Sequence, residues 1–357
     1  MKAYIDFLQY SLSKDAPLPE SFSQIDWSQF LIWAEQQAIV GVIYGGIQKG
    51  GKALSIPFDS LMEWIGYAQQ IELQNRKLDK KCVEVISEYE KDGYKSLLLK
   101  GQGNAMMYPS TLHRTPGDID ILITNKSRQE ITQYVRKKGR PTGHHYHHIE
   151  YEDEAIPVEV HFFACSLNNP IYRRRLNNWL LTKASSKLSV LPEGLGNIPV
   201  PTYEYNIVFQ LAHMMHHFFE EGIGLRQFID YYYLLRSVKN VTIEESNNVC
   251  STLKYLNLYK FAGAVMYVMN EVLGLEKKYL FVPVDEKRGK TLLNEILKGG
   301  NFGKADVRWK KAEGRWHMGK KYLLKTKRNL HFVREYPAEV LCEPIFRTWH
   351  FLWRLVH

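Results

Sequence analysis

The most informative stretch of the sequence is Asp118-Ile119-Asp120-Ile121-Leu122-Ile123. Acidic and apolar residues alternate in it, and residues two apart in a β-strand point to the same face, about 6.5–7 Å apart along the chain. The pattern therefore predicts a strand that buries the isoleucines and projects Asp118 and Asp120 together. Two carboxylates at this spacing repel each other, and a divalent cation between them removes the repulsion. The alternative is an edge strand whose acids are solvated.

A second alternating stretch, Val158-Glu159-Val160-His161, supplies a third acid. Its valines are predicted to be buried, while Glu159 and His161 point the other way. If this strand lies beside the aspartate strand, at the usual spacing of about 4.8 Å, Glu159 joins the same cluster. Three carboxylates can hold two Mg²⁺ ions about 3.5–4 Å apart, one activating an acceptor hydroxyl and the other neutralising phosphates. Taken alone, Glu159 is more simply a surface residue.

The loop before the aspartate strand is Leu98-Leu99-Lys100-Gly101-Gln102-Gly103-Asn104-Ala105. A short apolar strand ends there, two glycines allow close approach of the backbone, and a short helix begins. Backbone N–H groups at a helix start, together with Lys100, form a cradle suited to a triphosphate. The spacing matches neither the Walker loop nor the dinucleotide-binding fingerprint. A plain tight turn explains the same residues equally well.

Together these stretches carry a resemblance that extends over most of the chain. They resemble the uncharacterised nucleotidyltransferase family, which belongs to the DNA polymerase beta-like nucleotidyltransferase superfamily. The Arg-x-x-Gly-Asp-Ile-Asp element is the most specific part. The residues that carry the resemblance are Leu99-Lys100-Gly101, Tyr108-Pro109, residues 114–123 and Val158-Glu159-Val160-His161, followed by His213, Gly224-Leu225-Arg226, Asp230 and Tyr336-Pro337-Ala338-Glu339.

The resemblance implies transfer of a nucleoside monophosphate from a nucleoside triphosphate to a hydroxyl acceptor, with release of pyrophosphate. It makes Asp118 and Asp120 the metal-binding pair for Mg²⁺ or Mn²⁺. Glu159 becomes the third carboxylate and assists deprotonation of the acceptor. The acceptor hydroxyl can belong to a protein, a small molecule or RNA.

The resemblance also implies that the glycine turn at Gly101, with Lys100 and Gln102, contacts the triphosphate. The sequence departs from the superfamily here, because the usual Gly-Ser pair is Gly101-Gln102 and the gap to the first aspartate is long. Arg114 either pairs with a phosphate or with one of the acids Asp118, Asp120 and Glu159, or braces its own loop. His161 shares a face with Glu159 and contacts either the substrate or a metal-binding carboxylate.

A histidine-rich stretch lies between these elements. His144, His145, His147 and His148 belong to a strand predicted over 144–151, in which His145 and His147 share one face and the other two share the opposite face. No cysteine is nearby. A solvated or phosphate-adjacent strand is therefore favoured over a metal centre.

Two later helices carry further polar residues. His213, His216 and His217 lie on one predicted helix, but Met214 stands where the zincin pattern has its glutamate, so core or cleft packing is favoured. On the next helix Arg226 and Asp230 are four residues apart and most simply form a surface or interhelical ion pair of modest value; a role in closing the cleft is the less favoured alternative.

Periodicity outside the central unit is helical. The whole pattern predicts an α+β fold, with a small mixed β-sheet nucleotidyltransferase core flanked by N- and C-terminal helical segments. The predicted divisions are a helical segment over 1–93, the α/β core over 94–195, a helical domain over 196–300 and a basic aromatic segment over 301–357 that packs on the core. The predicted helices cover 26–48, 58–91, 102–108, 127–138, 206–221, 225–238, 243–256, 260–273 and 287–298, and the predicted strands cover 96–100, 118–124, 144–151 and 156–163.

Composition limits the class of protein. The net charge of +9 over 357 residues favours an anionic partner such as a nucleotide, a nucleic acid or an acidic membrane surface. No stretch approaches the roughly 18 apolar residues of a membrane span, and no signal peptide is visible, so a cytoplasmic location is expected. The cysteines are too scattered for a zinc ribbon or a disulfide framework and are expected to be reduced; they are Cys82, Cys165, Cys250 and Cys342.

The segment from 304 to 328 is basic, with Trp309, Trp316 and Tyr322 interleaved. Such a segment binds nucleic acid, lines the mouth of a site that admits triphosphates, or keeps the surface solvated. No RNA- or DNA-binding module signature is visible, so nucleic acid is not favoured. The alternatives to an enzyme are a catalytically silent nucleotide-binding or scaffold module and a nucleic-acid-binding protein that uses this segment.

Overall fold

Helices precede and follow a small sheet in the computed structural model, which describes residues 1–238, 242–310 and 317–356. The helix predicted over 58–91 is confirmed. The prediction of one helix over 26–48 is wrong, because the backbone at Ala38 adopts a φ of 56° and separates two helices. The sequence pattern also misses the first helix. The helices before the sheet are α1 (Lys2–Leu12), α2 (Trp27–Gln36), α3 (Val40–Gly50) and α4 (Phe58–Lys91).

Five strands form the central sheet, in the order β1-β2-β5-β4-β3, and β2 pairs with β5 in parallel while the other pairings are antiparallel. The predicted α+β class with a small mixed sheet is confirmed. The elements of this unit are β1 (Ser96–Leu98), α5 (Gln102–Ala105), β2 (Ile119–Ile123), α6 (Arg128–Lys138), β3 (Gly143–His144), β4 (His148–Asp153) and β5 (Ile156–His161).

Local sequence explains the edges of several elements. Ser127 caps α6, since its hydroxyl accepts from the Glu130 amide and the Glu130 carboxylate accepts from the Ser127 amide. β4 and β5 form the predicted hairpin, and Glu154 and Ala155 both have positive φ, as a two-residue hairpin turn requires.

The single strand predicted over 144–151 is wrong. β3 ends at His144 and β4 begins at His148, and a turn lies between them in which the His145 amide donates to the His148 carbonyl at 2.9 Å. The alternating faces predicted for these histidines therefore do not apply to His145 and His147.

The two faces of the sheet lie against different cores. The isoleucines of β2 and the valines of β5 pack with residues of α4 and α6, among them Leu78 and Val135. Leu97 and Leu122 belong to a larger core formed by the helices before and after the sheet. The odd-numbered residues of β2 thus fill the core shared with α4 and α6. Asp120 and Leu122 point to the opposite side of the sheet, which faces the larger core.

Helices return after β5. The helices predicted over 206–221, 225–238, 243–256 and 287–298 are confirmed with small shifts at their ends. The helix predicted over 260–273 is α-helical to Tyr267 and continues as a π-helical turn at Val268–Val272. The elements are α7 (Pro170–Thr182), β6 (Ser186–Val190), β7 (Asn197–Pro201), α8 (Tyr203–Glu220), α9 (Leu225–Arg236), α10 (Ile243–Tyr255), α11 (Tyr259–Tyr267), α12 (Glu286–Gly299), α13 (Val307–Lys310), α14 (His317–Leu330) and α15 (Pro337–Val356).

The sequence pattern misses α7 and the β6–β7 hairpin, of which β7 contacts β1 and α4. The division of the chain at residues 93, 195 and 300 stays a prediction. In the basic segment, Lys311, Arg315 and Trp316 lie outside the described residues. None of the described helices combines the length and the hydropathy that crossing a membrane requires.

Glu339 fastens the start of α15 to the loop that follows β5. Its carboxylate is 2% exposed and accepts the backbone N–H groups of Asn168 at 2.7 Å and Asn169 at 3.4 Å. Burial nevertheless dominates and raises the pKa of Glu339 from 4.5 to about 7. Ionisation of Glu339 in the folded protein therefore lowers the free energy of unfolding.

This raised pKa predicts a pH dependence of stability. Because the folded pKa lies above the unfolded one, the stabilising contribution is fully present below pH 4.5 and is lost as the pH rises through about 7. Between pH 4.5 and pH 8, the free energy of unfolding of the wild type should fall by about 3 kcal/mol relative to that of Glu339→Gln. Urea unfolding of both proteins across this range measures the difference, and a difference that stays constant contradicts the prediction.

Candidate active site

A cavity of about 1080 Å³ lies between the helix-facing side of the sheet and the helices α8, α9, α14 and α15. The sheet side carries Asp118, Asp120 and Glu159, and Lys100 and His161 lie beside them. The structure therefore brings the three predicted carboxylates to one cavity, although Asp118 lies just before β2 and not within it.

Strand register places the side chains of this wall. Asp120 of β2 is opposite Glu159 of β5, which is opposite Glu150 of β4. One step further, His161 of β5 is opposite His148 of β4. Since residues two apart share a face, these five side chains project from the same side of three adjacent strands.

Asp120 is the most buried of the acids, with a side chain only 1% exposed. Its Oδ1 accepts from Lys100 Nζ at 2.7 Å and from His161 Nε2 at 3.0 Å. Burial acts to lower the pKa of Lys100, but the carboxylates of Asp120, Asp118 and Glu159 outweigh it and raise this pKa. Lys100 is therefore a permanent cation on the cavity wall.

His161 connects two of the acids. Its Nε2 lies 3.0 Å from Asp120 Oδ1 and 3.2 Å from Glu159 Oε2. Burial alone would lower its pKa, but the hydrogen bonds to Asp120 and Glu159 raise the pKa to about 9. The imidazole is therefore protonated at neutral pH. Burial also acts on Glu159, yet His161 and His148 lower its pKa overall, so the carboxylate is ionised.

Two of the three predicted carboxylates are close enough to share a divalent cation. Ligand atoms of Asp120, Glu159 and His161 lie within 4.8 Å of one another, and Asp118 is outside this group. The Asp118 charge acts on both Glu159 and Lys100, which places it in the same electrostatic cluster. Carboxylate oxygens suit Mg²⁺ and Mn²⁺. A cation that binds Asp120 must share this carboxylate with Lys100 and His161.

The glycine turn reaches the cavity through its backbone. Gly101 has a φ of 54° and precedes α5, and a Cβ there would lie 3.3 Å from the carbonyl oxygen of Asp118. Gln102 does not reach the cavity. Its side-chain amide is buried and donates to Asp79 Oδ1 on α4. The contact of Gln102 with a triphosphate stays a prediction.

Arg114 braces its loop, the second of the two roles open to it. Its Nε and Nη2 donate to the two carboxylate oxygens of Asp230 at 2.8 and 2.9 Å, and both side chains are buried. Tyr108 and Asn104 also donate to Asp230, at 2.6 and 3.1 Å. This network joins α9 to the loop that leads into β2.

The ion pair predicted between Arg226 and Asp230 is wrong, because Asp230 is taken by Arg114. Arg226 Nη1 instead donates to the Thr115 and Pro116 carbonyls, at 3.4 Å each, and the guanidinium lines the cavity. It forms no ion pair with a carboxylate among the described residues. The spacing of Arg226 and Asp230 does not reveal that Arg114 competes for Asp230, because Arg114 lies 112 positions before Arg226 in the chain.

Histidines form much of the remaining wall. His145, His147 and His148 line the cavity from the sheet side, and His213, His216 and His217 line it from α8. The prediction of core or cleft packing for the α8 histidines therefore agrees with their position. Sequence reasoning missed Glu150, although the predicted hairpin carried the signal, since a turn at residues 154 and 155 sets Glu150 opposite Glu159.

Comparison with known proteins agrees with the resemblance carried by the sequence. The model of the uncharacterised nucleotidyltransferase family matches residues 23–274, which is more than half of the chain. The match includes the sheet, the glycine turn and helices α8 and α9. No curated protein matches the chain.

The buried pair of Arg114 and Asp230 predicts a large effect of a small substitution. Asp230→Asn leaves a buried guanidinium without its counter-charge and should lower the free energy of unfolding by about 3–5 kcal/mol. Glu286→Gln is the control, because it removes an exposed pair with Lys290 one turn away and should change stability by less than about 1 kcal/mol. Chemical denaturation of both variants measures this, and equal small effects contradict the bracing role.

Proposed function

The chain belongs to the uncharacterised nucleotidyltransferase family, and we propose that it transfers a nucleoside monophosphate from a Mg²⁺-bound nucleoside triphosphate to a hydroxyl acceptor. The observation that carries this proposal is the convergence of three carboxylates, Asp118, Asp120 and Glu159, on the sheet side of a cavity that cations also line. Arg226, Lys321 and Arg354 are on its helical walls, together with the acids Glu220 and Glu221. A triphosphate held by divalent cations at one end needs this arrangement of anions and cations.

In this proposal Asp118, Asp120 and Glu159 would hold Mg²⁺, or Mn²⁺ in its place. Bound there, the cations would lower the pKa of the acceptor hydroxyl and neutralise charge on the phosphates. Glu159 accepts the proton of the hydroxyl, whose oxygen then forms a bond to the α-phosphorus. The bond from that phosphorus to the bridging oxygen breaks, and pyrophosphate leaves.

The remaining charges bind the substrate. Lys100, whose Nζ lies 2.7 Å from Asp120 Oδ1, would donate from this place to a phosphate oxygen, and the backbone at Gly101 lies beside it. His161 holds Asp120 and Glu159 in position through its two hydrogen bonds. The guanidinium of Arg226 lines the same cavity and has no carboxylate partner among the described residues. It is therefore suited to bind a phosphate.

The contacts of the basic segment favour a role at the substrate site over a nucleic-acid-binding surface. Lys325 pairs with Glu220 and Glu343 at 2.8 and 3.2 Å, and Arg308 pairs with Asp306 and Glu295. These charges are used within the protein. Lys321 is exposed and lines the cavity.

Removal of one acid should abolish transfer. With α-labelled ATP, GTP, CTP and UTP, Mg²⁺ and cell extract, the wild type should label an acceptor, and Asp118→Asn should reduce the rate at least about 100-fold because cation binding is lost. Asp59→Asn, an exposed aspartate at the start of α4, is the control and should match the wild type. Calorimetric titration with each triphosphate and Mg²⁺ shows whether binding is lost as well. Binding without any transfer by the wild type refutes the proposal and favours a catalytically silent nucleotide-binding module.

The role of Arg226 predicts a change in substrate affinity. Arg226→Ala should weaken triphosphate binding about 10- to 100-fold, because charge-assisted hydrogen bonds to phosphate are lost. Arg226→Lys should recover part of this loss. Arg236→Ala is the matched control, since Arg236 lies on the same helix outside the cavity and donates to the Tyr232 hydroxyl. Unchanged binding by Arg226→Ala contradicts the assigned contact.

A further inference from the structure

Eight of the 13 histidines of the chain line the one cavity. The nucleotidyl transfer proposed above uses only His161 among them. At the start of β4, two imidazole nitrogens lie close to the same oxygen, Glu150 Oε1. His145 Nε2 is 3.1 Å from it and His148 Nε2 is 2.8 Å from it. One ligand atom from each of the three residues lies within 4.8 Å of the other two.

We propose that His145, His148 and Glu150 form a binding site for a divalent transition-metal ion of the Zn²⁺ class, separate from the magnesium carboxylates. Two imidazole nitrogens and one carboxylate oxygen are the donor set of many three-ligand zinc sites, which keep a fourth position for water or another donor. Mg²⁺ prefers oxygen ligands, so the two places differ in the ion they select.

Two of the three distances between the ligand atoms are already close to those around a coordinated ion. Ligands bound to one zinc at about 2.0–2.2 Å lie roughly 3–3.5 Å apart from each other. The two nitrogen–oxygen distances at Glu150 fall in or near this range. Without metal, the Nε2–H of each imidazole is directed at the carboxylate. When the ion binds these two nitrogens, each imidazole stays neutral and carries its proton on Nδ1 instead.

The second nitrogen of His148 provides an independent observation. His148 is 6% exposed, and its Nδ1 has no hydrogen-bond partner among the described residues, although Glu159 Oε2 lies 3.5 Å away. Histidines that bind metal through one nitrogen usually donate through the other to a carboxylate. A small rotation of His148 toward the ion completes this carboxylate–histidine–metal arrangement.

The turn that carries the first ligand is held from outside. Arg128 Nη2 donates to the carbonyl of Tyr146 at 2.6 Å and to that of His145 at 3.3 Å. The Tyr146 amide donates to His350 Nε2 at 3.1 Å, which ties the turn to α15. His145 is thus positioned before an ion arrives, which favours binding.

A competing set of ligands uses His147, His148 and His161. His161 Nε2 is already shared between Asp120 and Glu159, so coordination through it breaks both contacts, and coordination through Nδ1 breaks the contact with the Phe163 carbonyl. The set with Glu150 breaks no contact to the magnesium carboxylates. We therefore assign the ion to His145, His148 and Glu150.

Zinc titration tests this assignment. In excess Mg²⁺, the chelator-stripped wild type should bind one Zn²⁺ by calorimetry, and Zn²⁺ should raise its unfolding temperature. His145→Gln and Glu150→Gln should each weaken this binding at least about tenfold and lose the thermal shift. His147→Gln, next to the site, and His331→Gln, on the surface, should bind like the wild type.

The other outcomes overturn the proposal. They are an absence of Zn²⁺ binding by the wild type, normal binding by His145→Gln, and an equal loss in His147→Gln. Asp118→Asn should keep its Zn²⁺ binding while it loses nucleotidyl transfer, so the failure of one proposal is distinguishable from the failure of the other. Circular dichroism of each variant confirms that the fold is retained.

Discussion

The parallel pairing of β2 with β5 is the constraint on which the site depends. In this register Asp120 lies opposite Glu159, and every second residue of both strands faces the helices. A slip by one residue would turn the carboxylates into the core that packs on α4 and bring the isoleucines to the cavity. The apolar residues that alternate with the acids therefore fix the acids in place, because moving them costs the burial of several large side chains.

Pairing alone does not make a wall of buried carboxylates stable. Asp120 needs Lys100 and His161, since a buried anion without partners costs several kcal/mol. The loop before β2 is held in turn by Arg114 on Asp230. Two sets of ion pairs therefore hold the site: the pair of Arg114 and Asp230 is buried at the loop, and Lys100, Asp120 and His161 line the cavity.

The central unit was predictable because its signals are local. The period of two in β2 and β5, the serine cap of α6 and the glycine before α5 each depend on a few neighbouring residues. What was missed depends on distant partners. Asp230 binds Arg114 and not Arg226, Gln102 turns to Asp79, and the turn between His145 and His147 interrupts a pattern that alone suits a strand. These outcomes require knowledge of which helix lies across the sheet, which no short stretch of sequence contains.

The cavity draws on parts of the chain that are far apart in order of synthesis. Lys100 and Asp120 are made early, whereas the wall from α15 is made more than 200 residues later and is fastened by Glu339 to the loop after β5. A nascent polypeptide that has not yet released α15 from the ribosome lacks this wall of the cavity. Domains of a growing chain fold from the N-terminus, so this pocket is completed late in translation and premature termination before α15 leaves it unfinished.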